Sequence, residues 1–344
     1  MSEKTLFKNQ DGDLSVLDDR TVAVIGYGNQ GRAQALNMRD SGVENIIIGN
    51  RGDSSKEQAK KDGFEAYSMD QAANKADILF FLVPDEVQPQ VYKEKIEPYL
   101  KEGDVLNFAS GYNITYNLIT PPENIDVIMI APRMIGTMVR ELYEVGDGAP
   151  SFLAINQNYS GKAKDIGLAL GKAIGSTRSG IIEIDSFALE TKSDLLMEQG
   201  LIPIILNAMI AKYELEIAEG MPPAGALLEL YLSRELGYIF EKMAEQGIIG
   251  QMPLHSQTSQ YGQISRIDEL QEGEAEEVSY NDIKKFMGRQ LRNIGNGKFA
   301  REWSNEQQMG YPVFHRLFEK YNNSEMIKEE QKTIKELGLS NDLT

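Results

Sequence analysis

The chain contains no cysteine, so no disulfide framework and no thiolate metal site is available to it. It is also short of positive charge. Lys plus Arg number 35 against 52 Asp plus Glu, a formal net charge of −17. That balance excludes a nucleic-acid partner and suits a protein that handles small molecules. The opening residues, MSEKTLFKNQDGDLS, hold no apolar signal core, and the sequence shows no apolar run long enough to span a bilayer. A cytoplasmic protein with no membrane partner is expected. Internal repeats and low-complexity segments are absent too, and the acidic stretch Asp268–Glu277 reads as a solvated loop or helix face.

What is present is ordinary globular material: 41% hydrophobic and 25% charged residues in 344. That length exceeds what one compact core usually holds, so two domains are expected. The informative stretch is Thr21–Asp40, TVAVIGYGNQGRAQALNMRD. Val22–Ile25 is an apolar β-branched run that predicts a buried parallel strand. Gly26, Tyr27, Gly28, Asn29, Gln30 and Gly31 follow with G-x-G-x-x-G spacing, and Ala33, Leu36 and Met38 then read as a helix. Gly26 permits the tight turn, Gly28 lets backbone approach a pyrophosphate, and Gly31 lets the helix pack on the strand. The helix N-terminus supplies the positive end of a dipole to the phosphates. A second apolar strand at Glu44–Ile48 provides the context that turns this spacing into a dinucleotide site. A glycine-rich turn with no ligand is the alternative.

After that strand come Gly49, Asn50 and Arg51, with no acid at the strand end to bind ribose hydroxyls. Arg51 can pair with a phosphate, and Ser54 and Ser55 can donate to one. NADP(H) is therefore expected. Asp53 argues the other way, because it could accept from a ribose instead. A solvated polar turn without cofactor contact is the third reading.

Ala76–Val83, Val105–Ala109, Val127–Ile130, Ser151–Ile155 and Gly180–Ile184 read as further strands, with a helix at Lys162–Ala173. In an open parallel sheet ligands lie at the carboxyl ends of strands. Pro84, Asp85, Val87 and Gln88 accordingly border the cofactor, as does the phrase Ala131–Gly136, whose Gly136 is counted with the cofactor residues. From Ser186 to Gln246 the apolar spacing turns helical. Asp194 and Glu198 are four apart and project from one helix face, with Leu195, Leu196, Leu201 and Ile202 expected to bury around them. Such an acid pair suits a hard cation such as Mg²⁺, although paired acids on a helix are more often a solvated face. Glu229, between Leu228 and Leu230, would be costly to bury alone.

These residues carry a resemblance. AVIGYGNQGRAQALNMRDSGV, FLVPDEVQPQVYKEKIEPYLK, Thr191–Gly200 (TKSDLLMEQG), Ser256–Gly262 (SQTSQYG) and Gly295–Trp303 (GNGKFAREW) together resemble ketol-acid reductoisomerase of the short class I form, from Val22 to about Trp303. The resemblance implies an N-terminal α/β Rossmann domain with a parallel-type sheet, expected over 1–184. An all-α knotted domain is expected over 185–330, and a tail over 331–344. It implies an oxidoreductase that couples Mg²⁺-dependent alkyl migration in a 2-acetohydroxy acid to NADPH reduction of the resulting 2-keto acid, in branched-chain amino-acid synthesis. By motif the pyrophosphate loop falls on Gly26–Gly31, the ribose-phosphate loop on Arg51–Ser55 and the nicotinamide-side loop on Pro84–Gln88. Asp194 and Glu198 match two metal acids, and Glu229 a third donated by the partner of at least a homodimer. Ser256 matches a substrate-contacting serine.

Departures from the family pattern are equally specific. A histidine in a phrase like FAHGFNIH is replaced by Ser110, in Phe108–Thr115. A lysine in a phrase like APKGPG is replaced by Arg133; a fourth metal-site acid, one turn after Glu229, is replaced by Ser233, unless a small slip brings in Glu235. Ser110 cannot relay a proton alone as histidine can. Arg133 keeps its charge on a wider fork that stays protonated. The two histidines, His255 and His315, stand elsewhere. Three readings follow: a reductoisomerase with an altered site, built on Ser110, Arg133, Asp194 and Glu198; an NADPH-dependent reductase of another 2-keto or 2-hydroxy acid; and a catalytically silent NADP(H)-binding homologue.

Overall fold

The computed structural model describes residues 5–273, 275 and 278–339. They separate into two compact units, one ending at Ser193 and the other beginning at Asp194. The division falls inside the helix that starts at Phe187, not at Ile184. The first turns of that helix belong with the sheet because Phe187 packs edge-on against Phe108, with ring centroids 6.2 Å apart.

The first unit is built on nine strands: β1 (Leu6–Phe7), β2 (Val22–Ile25), β3 (Ile46–Gly49), β4 (Glu65–Tyr67), β5 (Ile78–Phe81), β6 (Val105–Phe108), β7 (Asp126–Pro132), β8 (Ser151–Gln157) and β9 (Ile181–Glu183). Their order is β1-β9-β8-β7-β6-β5-β2-β3-β4. Central strands are apolar at nearly every position because both faces are covered, and the buried Asn107 of β6 accepts from the Ile130 amide at 3.1 Å. Val22, Val24, Ile46, Ile48, Ile78 and Phe80 point into one core, and their alternates Ala23, Ile25, Ile47, Leu79 and Phe81 into the other. Each fully buried aliphatic of this kind contributes about 1.5–3 kcal/mol.

Pairing is parallel from β4 through β3, β2, β5 and β6 to β7. The expected parallel sheet stops there. Strand β8 runs antiparallel to β7, with Ser151, its first residue, opposite Pro132, the last of β7. The helix Gly136–Glu144 packs along Asn29–Asp40, where Asn37 donates to the Val139 carbonyl at 3.2 Å, and the chain re-enters the sheet beside the end it left. Strand β2 pairs with β3 on one side and with β5 on the other, so the direction of winding reverses at β2. This opens a crevice at the carboxyl ends of β2 and β5.

Beyond Asp194 the described residues hold helices and no strand. Tyr213, Ala226, Leu227, Leu230 and Leu232 form a small core against Met326, Ile334 and Leu339. The helix Glu325–Glu336 therefore carries the chain past residue 331, where a tail was expected; its apolar side has a core to bury in. Residues 340–344 of that expected tail, and 274, 276 and 277 of the acidic stretch, lie outside the described residues. Asp268 lies on the helix Gln257–Glu272.

One expectation of composition is corrected. The continuous helix Phe187–Ala218 is long and apolar enough to cross a membrane, and 11% of its most apolar window is buried. Its apolar centre, residues 202–210, is flanked by charged turns, so the run emerges only when the helix is seen as one element.

Candidate active site

The crevice at the carboxyl ends of β2 and β5 is a cleft of about 920 Å³, bordered by residues 26–30, by Asn50, Arg51, Asp53 and Ser55, and by the loop 82–88. Gly26 turns the chain out of β2 at φ 98°, and its amide donates to the Gly49 carbonyl at 2.9 Å. A side chain there would be strained by that φ and would lie 2.9 Å from Val83 Cγ1. Gly31 is buried behind the cleft, where an added Cβ would sit 1.9 Å from the Gly26 carbonyl oxygen. Gly28 differs: nothing lies within 4 Å of its Cβ position, and it caps the N-terminus of Asn29–Asp40. The open side of the turn is therefore the side that faces solvent and any anion at the helix N-terminus.

Ser54 and Ser55 do not lie in a loop. They open the helix Ser54–Lys61, capped by Asp53, which accepts from the amides of Ser55 at 3.1 Å and Lys56 at 3.3 Å. Asp53 also accepts from Asn50 Nδ2 at 2.9 Å and pairs with Arg51 Nε at 2.6 Å. The Arg51 hydrogen bond, with the helix amides, holds its carboxyl below the usual carboxylate range. A carboxylate this occupied is a poor ribose acceptor. Arg51 remains 83% exposed at the cleft mouth.

At the far end of that helix lies a group of contacts the sequence reading did not single out. Asp62 accepts from Arg32 Nε at 2.7 Å, Arg32 Nη2 at 3.2 Å, Tyr27 Oη at 2.9 Å and Gln58 Nε2 at 2.9 Å. The Arg32 guanidinium, more than any other neighbour, pulls the Asp62 pKa down to about 2. Burial, helped by Asp62, pushes the Tyr27 phenol up.

The loops after β5 and β6 are tied together. Asn113 donates to the Asp85 carbonyl and to Gln88 Oε1, each at 3.0 Å, and Gln88 donates to the Val83 carbonyl at 2.9 Å. This fixes Pro84, Asp85 and Val87 along the cleft wall. Ser110 lines the same cleft, and its Oγ accepts from the Tyr112 amide at 3.3 Å. Burial pushes the Tyr112 phenol up to about 12.

Arg133 leaves the end of β7 and pairs with Glu190 at 2.9 Å, its guanidinium 5.2 Å from the Phe152 ring centroid. Glu190, 2% exposed, also accepts from the Gly111 amide at 2.9 Å. It thereby joins the ends of β6 and β7, beside Ser110. Sequence reasoning missed it, although it stands four residues before Asp194 on the same helix. Gly136 is buried, with its Cβ position 2.4 Å from the Asn29 backbone, so it serves helix contact behind the cleft.

In the second unit, Asp194 is half-buried and Glu198 exposed. Leu195 is buried, but Leu201 and Ile202 are exposed, contrary to expectation, because the helix presents them on an uncovered side. Glu198 lies in a π-turn, Met197–Leu201, and Glu229 in another, Leu228–Leu232. Such turns recur at functional sites. Glu229 is exposed and bears no burial cost. Among the described residues no three His, Cys, Asp or Glu side chains converge as metal ligands. Ser233 is exposed and follows the second π-turn, its Oγ accepting from the Glu235 amide at 3.4 Å. Ser256 caps the helix Gln257–Glu272, and His255 pairs with Gln251 at 3.1 Å.

Comparison with known proteins completes the picture. A family model described as "Acetohydroxy acid isomeroreductase, NADPH-binding domain" matches residues 16–180, and "Ketol-acid reductoisomerase, C-terminal domain" matches 187–337. The chain is 44% identical over 328 residues to "Putative ketol-acid reductoisomerase 3" of Saccharolobus solfataricus, covering 94% of this chain and 96% of that one. It is 40% identical over 334 residues to "Ketol-acid reductoisomerase (NADP(+))" of Methanopyrus kandleri, covering 97% and 98%. Among solved structures, an NADH-preferring ketol-acid reductoisomerase from an uncultured archaeon superimposes with a TM-score of 0.87 at 36% identity, covering 96% of this chain and 99% of that one.

Proposed function

The chain belongs to the ketol-acid reductoisomerase family, and from that premise we propose that it is an NADPH- and Mg²⁺-dependent reductoisomerase with an altered active site. Its substrates are 2-acetohydroxy acids and its products 2,3-dihydroxy acids, as in branched-chain amino-acid synthesis. The carrying observation is the cleft at the switch point of the sheet, walled by the glycine turn and by Arg51, Ser55 and Ser110. Gly28 and the first amides of Asn29–Asp40 hold the pyrophosphate. Arg51 and the capped start of Ser54–Lys61 hold the 2′-phosphate. The loop Pro84–Gln88 and Ser110 border the nicotinamide, which supplies hydride when bound.

Asp194 and Glu198 offer two carboxylates of the kind Mg²⁺ takes, and Glu229 of a second copy offers the third. Held by those carboxylates, Mg²⁺ would supply the Lewis acidity that an alkyl migration needs. Arg133, oriented by Glu190, sets a fixed positive charge beside Ser110 at the ends of β6 and β7. That charge suits the carboxylate of a 2-keto acid.

A second reading is favoured by Ser110 and by the Arg133–Glu190 pair, which replace the family's histidine and lysine. On it, the chain reduces a preformed 2-keto acid and leaves out the migration. NADPH oxidation with Mg²⁺, run against 2-acetolactate and 3-hydroxy-3-methyl-2-oxobutanoate, separates the two. Turnover of both supports the reductoisomerase, and turnover of the second alone supports the reductase. Turnover of neither, with NADPH bound, leaves the silent homologue.

A further inference from the structure

Two loops must hold one dinucleotide: the glycine turn after β2 and the Arg51–Ser55 segment after β3. Register between β2 and β3, with Ile25 opposite Gly49, sets their distance at the sheet. Above the sheet the second segment continues as the helix Ser54–Lys61, a rod of about 12 Å whose first turn faces the cleft. Between its ends the helix buries only Ala59, so the tilt of its far end depends on the contacts made there. Its far end is where Asp62 stands.

We propose that Asp62 is a positioning residue for the 2′-phosphate pocket, acting by clamping the end of Ser54–Lys61 to the glycine turn and the helix behind it. Tyr27 comes from the turn, Arg32 from the first helical turn after it, and Gln58 from the clamped helix itself. Arg39, about two turns further along the same helix, donates to the Asp62 carbonyl at 2.6 Å and stacks 5.1 Å over Phe64. Tyr27 meets the same Phe64 edge-on at 6.0 Å. The carboxylate thus receives donors from both nucleotide-holding elements, and both its oxygens are used. The Arg32 guanidinium holds the carboxyl well below the usual carboxylate range, so the clamp is ionised at neutral pH. Asp62 lies outside the cleft lining, so its effect on a ligand passes through the helix it holds.

The inference rests on the NADP(H) reading of the cleft and adds to it. It predicts discrimination between NADPH and NADH, because the pyrophosphate turn has its own anchor in the bond from the Gly26 amide to the Gly49 carbonyl, while the phosphate pocket depends on the tilt of Ser54–Lys61. The full-length protein is titrated with NADPH and with NADH by calorimetry, followed by steady-state assay. Asp62→Asn should weaken NADPH binding about tenfold, change NADH binding far less, and leave kcat at saturating NADPH near that of the native protein. Gln58→Ala, which removes one donor from a half-buried side chain, should shift the NADPH-to-NADH ratio in the same direction by less. Asp62→Glu should recover part of it. Equal losses for both nucleotides, or an unchanged ratio in Asp62→Asn and Gln58→Ala alike, would overturn the positioning role. A native protein that binds neither nucleotide would overturn the dinucleotide reading and this inference with it.

Discussion

Asp53 shows how one residue can read two ways in sequence and one way in the fold. As the only acid near the end of β3, it competes with Arg51 for the meaning of the loop. Capping of Ser54–Lys61 and the bond to Arg51 settle its job. The cap was legible, since Asp before a polar helical run is a start signal, but the run is only eight residues and carries one buried side chain, Ala59. Glu190 is the contrasting case. Its burial and its donors come from elements far apart in sequence, so spacing alone gave it no distinction. Glu190→Ala would leave the Gly111 amide without its acceptor and remove the partner that orients Arg133. We expect a loss of about 2–4 kcal/mol in stability, seen as a lower denaturant midpoint, and a fall in turnover larger than in Glu190→Gln. An Ala variant as stable and active as the native protein would remove Glu190 from the site.

At the scale of elements, β2, β3, β5, β6 and β7 were legible because burial on both faces demands predominantly apolar runs. The edge strands β1 and β4 were not, since Leu6 and Glu65 face solvent and the pattern weakens. The head of β6 makes a pH prediction. Asp104 is 5% exposed, and burial raises its pKa to about 6, above an unfolded value near 3.9. A carboxyl raised on folding favours the neutral form. Its contribution is fully present below the unfolded pKa and is lost as pH rises through about 6. Asp104→Asn keeps an acceptor for the Lys101 amide and removes the charge. It should therefore gain stability over the native protein at pH 7.5, by about 1–3 kcal/mol, and lose that advantage near pH 4. Chemical denaturation at both values checks this; an equal difference at both would refute it.

At the scale of the whole molecule, the second unit leaves Leu206, Leu215, Phe240 and Ile248 half or more exposed. Apolar side chains left open in this way fit a unit that is covered by association. Our reading that Glu229 completes the site of a second copy can be tested by mixing. Asp194→Asn and Glu229→Gln should each be nearly inactive alone. In randomly reassembled dimers half the molecules are mixed, and each mixed dimer keeps one intact site, so about a quarter of native activity should return. Sedimentation should show a dimer at micromolar concentration. No recovery on mixing, or a stable monomer, would place Glu229 outside the site.

The dinucleotide cleft and the family are written locally. The G-x-G-x-x-G turn, the apolar strands and the acids four apart on a helix are patterns of neighbours in sequence, and backbone geometry turns such patterns into structure with little outside help. Only the tertiary structure decided that Asp53 caps Ser54–Lys61 while pairing with Arg51, that Glu190 joins the ends of β6 and β7, and that Asp62 ties the glycine turn to the far end of Ser54–Lys61. Each of those roles is set by donors arriving from other strands and helices. Burial strengthens such bonds and makes their absence costly, and burial is a property of the packed chain, not of any segment within it.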